Sequence, residues 1–477
     1  MSTPWDLTVN LKDAVLDFTW LSILLIAGAI LRRYIPFFQK YLVPNNILGG
    51  FLGLLIGAQI LGIANLSSER LGMYVYHLLA LTFIAMGLRQ EKKVWGTGPV
   101  SMAFSFINTY VVQGAIGLVV ALILINTFMP DLFGGIGLLV PLGFGMGPGL
   151  AYSMGHSWER LGFEGGGVVG LTFAAVGFLI AYFVGIPLIQ RGIRKRETTL
   201  VDGIDGINEQ VRRGILKEPP AYKSAGKLTI ATEAMEPMAF QIGLIGALYL
   251  FTYGFTWGVT HLMEGTFLED FDFPGIVWSF HFVWAALIAM GARKIMDMQG
   301  RGYVIDRGLM TRITGVFMDY LVCASIAAIA FSVVWDYWVP ILIMCVLAGT
   351  ATYFFHRWLM WRAFDNYHFE RFIGIFGDLT GTINSGLVLV RVTDPEFDTP
   401  VAEDLVYASG VALLIGIPLL FVLNLPMTVF ANLFENPQTG YWITLGILLG
   451  YGLLLMIAWR LIGYLKFKSQ KPAQLAE

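Results

Sequence analysis

GFGMGPGLAYSMG (143–155) and GDLTGTINSGLVLVR (377–391) are two glycine-rich breaks inside otherwise apolar sequence, about half a chain apart. Irregular backbone at membrane depth is tolerated only where it is buried in protein or lines a wet cavity. Paired Gly/Pro interruptions at matching places in two halves of a chain therefore point to the binding centre of a carrier. Each break is expected to be a re-entrant hairpin, the first over 134–155 and the second over 372–391.

Composition agrees with a membrane setting. Of the 477 residues 56% are hydrophobic and 13% charged, mean hydropathy is +0.68, and apolar runs of bilayer length recur. The expected spans lie near 18–31, 45–64, 72–88, 99–128, 165–190, 238–262, 274–291, 313–334, 338–356, 403–424 and 441–465, which makes eleven crossings beside the two hairpins. The N-terminus carries Asp6, Lys12, Asp13 and Asp17 where a cleaved signal peptide wants a positive leader, so the first run reads as a retained helix. A net charge of -2 with no continuous basic patch argues against nucleic acid as a partner. Cys323 and Cys345, the only cysteines, both fall within apolar spans, which excludes an exposed disulfide framework or a CxxC metal site. The aromatics are expected mostly at lipid-facing and interfacial positions.

Charge placement tests the hairpin assignment. With the N-terminus outside and each hairpin entering and leaving on one face, Lys12, Arg70 and Arg160 are the only ones of the 31 basic residues left outside. Were either hairpin a full crossing, the sides would swap after it and the bias would collapse. The same count gives each half five crossings, so the second half must be inverted relative to the first. Weak internal similarity fits: VPNNILGGF (43–51) against FPGIVWSFH (273–281), and GIPLI (185–189) against GIPLL (416–420). The expected fold is an all-α polytopic membrane protein with two inverted repeats, 15–190 and 237–424. The polar segment 191–236 is a cytoplasmic linker, and 425–477 forms an extra C-terminal helix and tail.

A broken helix exposes unpaired N–H groups at one tip, which attract carboxylates, and unpaired carbonyls at the other, which replace water around sodium. Gly147, Gly149, Ser153, Thr382, Asn384 and Ser385 are the expected solute-binding residues of the hairpins, and Thr380 adds an oxygen for a cation. Small residues that merely permit close helix packing are the plain alternative. Asp378 stands out, because a carboxylate inside a membrane hairpin is costly and pairs with a cation, a substrate amine or a proton. A rim pairing with Arg371 or Arg391 is the competing account. Arg391 is read as a bidentate clamp for a solute carboxylate or as a loop charge. Asn108, Thr109 and Gln113 share one face of the helix before the first hairpin, the first two as candidate cation ligands and Gln113 as a solute contact. Asp319 is a further ionisable group at possible membrane depth. The six histidines lack metal-ligand spacing, and GFGMGPG lacks the Lys-Ser/Thr of a phosphate loop.

YLVPNNILGGFLGLLIG (41–57), VVQGAIG (111–117), the first hairpin with ERLGF after it (159–163), FDFPG (271–275) and DNY (365–367) occur in order along residues 20–424. In these motifs the chain resembles the bacterial sodium:glutamate symporter family. The resemblance implies a homodimeric carrier of the bacterial inner membrane, driven by sodium as coupling ion and without an organic cofactor. It further implies an elevator mechanism, in which hairpin-bearing transport domains slide past a dimeric scaffold. The chain departs from the family where a His and a Thr usually stand among the first hairpin's glycines: it has Gly145, Met146, Gly147, Pro148 and Gly149. It also carries Asp378 in the second hairpin, where the family is usually uncharged. Sodium-coupled symport of a small anionic or zwitterionic solute such as glutamate is the leading expectation. A proton-coupled carrier of another organic anion or amino acid is the runner-up. A channel would want a filter-like motif and an enzyme a nucleophile–base or metal constellation, and neither is visible.

The charge asymmetry yields a topological prediction. An impermeant thiol reagent added outside should label Arg70→Cys and spare Lys92→Cys; equal labelling of both would refute the assigned sidedness.

Overall fold

The computed structural model describes residues 10–89, 96–200, 212–214, 226–230, 232–270, 273–394 and 398–467. Most of the expected linker, Lys92, Lys93, the first two residues of FDFPG, and Lys471 lie outside the described residues. Every regular element among the described residues is helical. We label the principal helices α1 (Leu11–Tyr34), α2 (Asn45–Ile56), α3 (Ser68–Leu88), α4 (Thr97–Ile125), α5 (Leu139–Phe144), α6 (Pro148–Glu159), α7 (Gly166–Phe183), α8 (Gly185–Arg194) and α9 (Pro237–His261). They continue as α10 (Phe273–Ser279), α11 (His281–Met298), α12 (Arg307–Ala327), α13 (Phe331–Ala363), α14 (His368–Thr380), α15 (Ile383–Thr393), α16 (Val401–Asn424) and α17 (Pro437–Leu461).

Eight helices are long and apolar enough to cross a membrane, or ten if two bent pairs each count as one span. The eleventh expected span, 45–64, is cut short: α2 has 12 residues and a rise of about 18 Å, against about 30 Å of hydrocarbon. Gly57 ends it. The boundary expected at 335–337 falls instead at 328–330, between α12 and α13, so Trp335 and Trp338 lie on the exposed side of a 33-residue helix. The span expected over 274–291 is broken at Phe280, where α10 and α11 meet at 62°. The expected repeat boundary at 190 falls inside α8.

Side-chain contacts give each helix a direction. Arg32, Arg89, Arg194 and Arg371 mark one end of the bundle, the basic end; Asp17 and Arg70, bonded at 2.7 and 3.0 Å, mark the far end. Helix α1 descends to the basic end and α2 returns beside it, Gly49 against Leu24 and Gly28 against Asn45. Helix α3 descends, α4 ascends, and α7 with α8 descends until Gly192 meets Phe369. In the second half α9 ascends, Gln241 bonding Val304 O at the basic end (2.8 Å). Helices α10 and α11 descend alongside α3, with Tyr76 Oη on Trp278 O (2.8 Å) and Arg293 Nη1 on Leu88 O (3.5 Å). Helix α12 ascends beside α2, Asn46 bonding Asp319 at 2.8 Å. Helix α13 descends against α4, α16 ascends beside it with Asp404 at Gly98 and Gly416 at Ile107, and α17 descends with Gly452 at Val111.

Both glycine-rich breaks fold back on themselves. From the far end, the 3-10 turn Gly134–Leu138 and α5 run down α4, Gly137 lying against Gly117, Pro141 against Gly114 and Gly145 against Tyr110. Gly147 then reverses the chain at φ +93, a backbone conformation that costs glycine alone little. Helix α6 climbs back along α7, Ala151 at Gly170 and Gly155 at Gly166. From the basic end, α14 rises to Gly381 and α15 returns beside it, with Gly377 and Gly374 packed on Gly386. The arms reach further than expected from sequence, to Glu159 in the first hairpin and over His368–Thr393 in the second.

Beside the exposed aromatics that the sequence leads one to expect, a set fills the interior: Trp158, Trp459, Tyr76, Tyr182, Phe106 and Phe144 are fully buried. Cross-packed helices leave gaps that large planar side chains fill. Lipid-facing aromatics such as Trp257, Trp335 and Phe251 are also present.

Glycine packing in the first hairpin is open to test. A Cβ at Gly137 would overlap the Gly117 backbone, whereas one at Gly243 meets nothing within 4 Å. Gly137→Leu should lower unfolding stability of the purified protein by about 3 kcal/mol, the upper range for overpacking, and Gly243→Leu should leave it unchanged.

Candidate functional site

The two hairpins end against each other. The Thr382 Cγ2 atom lies 3.5 Å from where a Cβ of Gly147 would stand, the Leu379 Cδ2 atom 3.3 Å from that of Gly145, and Gly177 on α7 packs on the Thr380 carbonyl. At each tip one helix ends and another begins. Helices α5 and α14 present C-terminal carbonyls, while α6 and α15 present N-terminal N–H groups, the latter with Thr382 as an N-cap whose side chain makes no capping bond. The first N–H groups of any helix lack intrahelical partners and carry partial positive charge, so both tips offer donors to an anion and acceptors to a cation. Pro148 at the first position of α6 removes one N–H that would otherwise need a partner.

Gln113, Thr380, Thr382, Ser385 and Asp378 gather at these tips. The Gln113 amide donates to Leu379 O and to Thr352 Oγ1, both at 2.9 Å, and is wholly buried. Thr380 Oγ1 donates to Phe376 O (2.7 Å), and the Tyr182 hydroxyl approaches Ser385 without hydrogen-bond geometry. The carboxylate of Asp378, a residue 5% exposed in the last turn of α14 and facing Gly386, has no hydrogen bond or ion pair among the described residues. Gly149 lies one turn into α6 but is turned to Leu79 of α3, so close helix packing explains it.

Most other expected residues stand elsewhere. Ser153 donates to Ser279 O at 2.9 Å, bracing α6 against the α10–α11 break rather than reaching a tip. Asn108 bonds back to Phe104 O, and Thr109 bonds Ser105 O and His356 Nε2, all at 2.8 Å, so both spend polar groups within the helix packing. Asn384, the second residue of α15, is exposed next to the tip. Arg391 sits eight residues beyond the start of α15, about 12 Å along the helix from the tip. Asp319 is held by Asn46.

The rim pairing considered for Asp378 is absent. Arg371, two turns below it on α14, is ion-paired at 2.7 Å with Asp404 of α16, the two side chains 4% and 9% exposed, and its Nε and Nη2 also contact Asn366. Two residues escaped the sequence reading. Tyr110 donates to Gly145 O (3.3 Å), and its place one turn before Gln113 could have extended the polar stripe. Thr352 carried no signal, being a lone hydroxyl in a long apolar helix.

The two buried carboxylates should respond differently to neutralisation. Asp404→Asn strands the Arg371 guanidinium and should cost about 3–5 kcal/mol of stability. Asp378→Asn strands no cation, so thermal unfolding of the purified variant should show stability unchanged or raised.

Comparison of the chain with protein-family models, with curated proteins and with solved structures returned no match.

Proposed function

We propose that the chain is a secondary active carrier whose solute and coupling ion bind between the two hairpin tips. The observation that carries this reading is the meeting of two broken helices from opposite ends of the bundle, Gly147 against Thr382, one turn from a buried carboxylate without a cation partner. Static helix packing gains nothing from such a carboxylate, which costs on the order of a few kcal/mol at membrane depth. A transported cation or amine would compensate it.

Inverted repeats are part of the same proposal. The directions run down, up, down, up, hairpin, down in the first half, and up, down, up, down, hairpin, up in the second. Both weak sequence matches fall on equivalent elements: 43–51 and 273–281 at the second helix of each half, and the two GIPL segments in the fifth. Each fifth helix is interrupted just before its GIPL segment, at Val184 between α7 and α8 and near residues 412–415 in α16. The prolines of these segments lack the N–H that would continue the ladder.

Sodium-coupled symport of a small anionic or zwitterionic solute in a bacterial inner membrane, by a homodimer, is the form we favour. Tip carbonyls suit a hard cation and tip N–H groups a carboxylate. An elevator motion is supported by the division of the bundle. Helices α4–α8 and α13–α17 surround the tips, while α1–α3 and α9–α12 form a second group against which α6 rests through Gly149 and Leu79, and Tyr152 and Gly72. Proton coupling is the second reading, and Asp378 alone favours it.

Uptake into proteoliposomes, screened over acidic amino acids and dicarboxylates, decides between them. Transport should require an inward sodium gradient, Asp378→Asn should abolish it, and Thr382→Ala should raise the sodium concentration needed. Full-rate uptake in choline buffer under a pH gradient would replace sodium by the proton, and undiminished uptake by Asp378→Asn would remove that residue from the mechanism.

A further inference from the structure

Helix α4 holds both hairpins through residues one turn apart. Tyr110 Oη donates to Gly145 O, where α5 ends, and Gln113 Nε2 donates to Leu379 O in the last turn of α14. Residues three apart lie on one face of a helix, so the two bonds leave α4 side by side. The amide orientation of Gln113 follows from its partners. Leu379 O can only accept, and Thr352 Oγ1 already donates its proton to Ala348 O (2.8 Å), so the NH2 group must face both. That leaves Gln113 Oε1 buried without a partner. An orphaned buried carbonyl is costly, so the tie to hairpin 2 persists against an unfavourable term on the same side chain.

We propose that Tyr110 and Gln113 are positioning residues that interlock the two tips, so that neither hairpin opens without releasing the other. The tips touch directly, Leu379 at Gly145 and Thr382 at Gly147, while α4 is walled in by α13, α16 and α17. When Gly145 withdraws from Tyr110, Leu379 loses the surface that presses its carbonyl onto Gln113. When Leu379 withdraws, Gly145 loses a neighbour on the face that Tyr110 also covers. The interlock rests on the carrier reading above, yet its test needs neither solute nor ion.

The test is thiol labelling of the full-length protein in proteoliposomes, in a background of Cys323→Ala and Cys345→Ala. One buried reporter per hairpin is used, Leu150→Cys in α6 and Ser385→Cys in α15, with Ala80→Cys in α3 as a buried site away from the tips. Tyr110→Phe removes the hydrogen bond to hairpin 1, and Gln113→Leu removes the one to hairpin 2 together with its bond to Thr352 of α13. Each should speed labelling of both tip reporters about fivefold, the factor that one ordinary hydrogen bond controls, with Ala80→Cys still protected. Faster labelling confined to the hairpin whose bond was cut, no change at either reporter, or equal gain at Ala80→Cys would overturn the interlock. A failed uptake assay with this labelling pattern intact would count against the carrier reading and leave the interlock standing.

Discussion

Every backbone N–H and C=O at membrane depth must find a partner inside the protein, and the architecture is organised around the two places where the helices break that rule. Breaking a helix in a bilayer frees several donors and acceptors at once. Here both breaks are carried to the middle of the bundle, where they face each other and are walled in by α4, α7, α13 and α16. Glycine makes this possible by letting backbones approach closely: Gly117 with Gly137, Gly155 with Gly166, Gly374 with Gly386. The surrounding side chains take up part of what the breaks release, Tyr110 at Gly145 O and Gln113 at Leu379 O. What they leave open, helix N-termini and the Asp378 carboxylate, is the chemistry available to a ligand.

Charged groups in the bundle divide by whether a partner exists. Asp17 with Arg70 closes the far end, Arg357 with Glu197 and Arg371 with Asp404 close the basic end, and each pair joins elements distant in sequence. The Glu370 carboxylate accepts from Thr199 N and Oγ1, which fixes the start of the linker to the base of hairpin 2. These are structural uses of charge toward the two ends of the bundle, each group held by a partner. Asp378 lies deeper and has no such partner among the described residues. Position and isolation together, more than residue type, separate it from the other carboxylates.

The sequence was most legible where a signal is local or additive. Apolar run length located the eight long apolar helices and the two bent pairs, and glycine density located both fold-backs; the bias of lysine and arginine implied their opposite faces. It was less legible where helices compete for the same apolar stretch. Nothing in 313–356 marks where α12 ends, because Ala327 to Ala330 is as apolar as its flanks and only packing against Gly50 and Gly53 places the turn. The length of α2 was hidden for the same reason.

Site residues followed the same division. Composition and spacing alone determined a polytopic helical membrane protein with two glycine-rich interruptions, and they singled out Asp378 as a costly group. Only the tertiary structure decided that Gln113 faces a hairpin tip while Asn108 and Thr109, on the same helix, bond back into the packing. It also decided that Ser153 braces a scaffold break and that Arg371 belongs to Asp404. The physical reason is that a polar side chain's role depends on which partner is nearest in space, and in a bundle of crossing helices that partner is usually hundreds of residues away along the chain. Gln113 and Leu379 are separated by 266 positions, and only folding brings them within 2.9 Å.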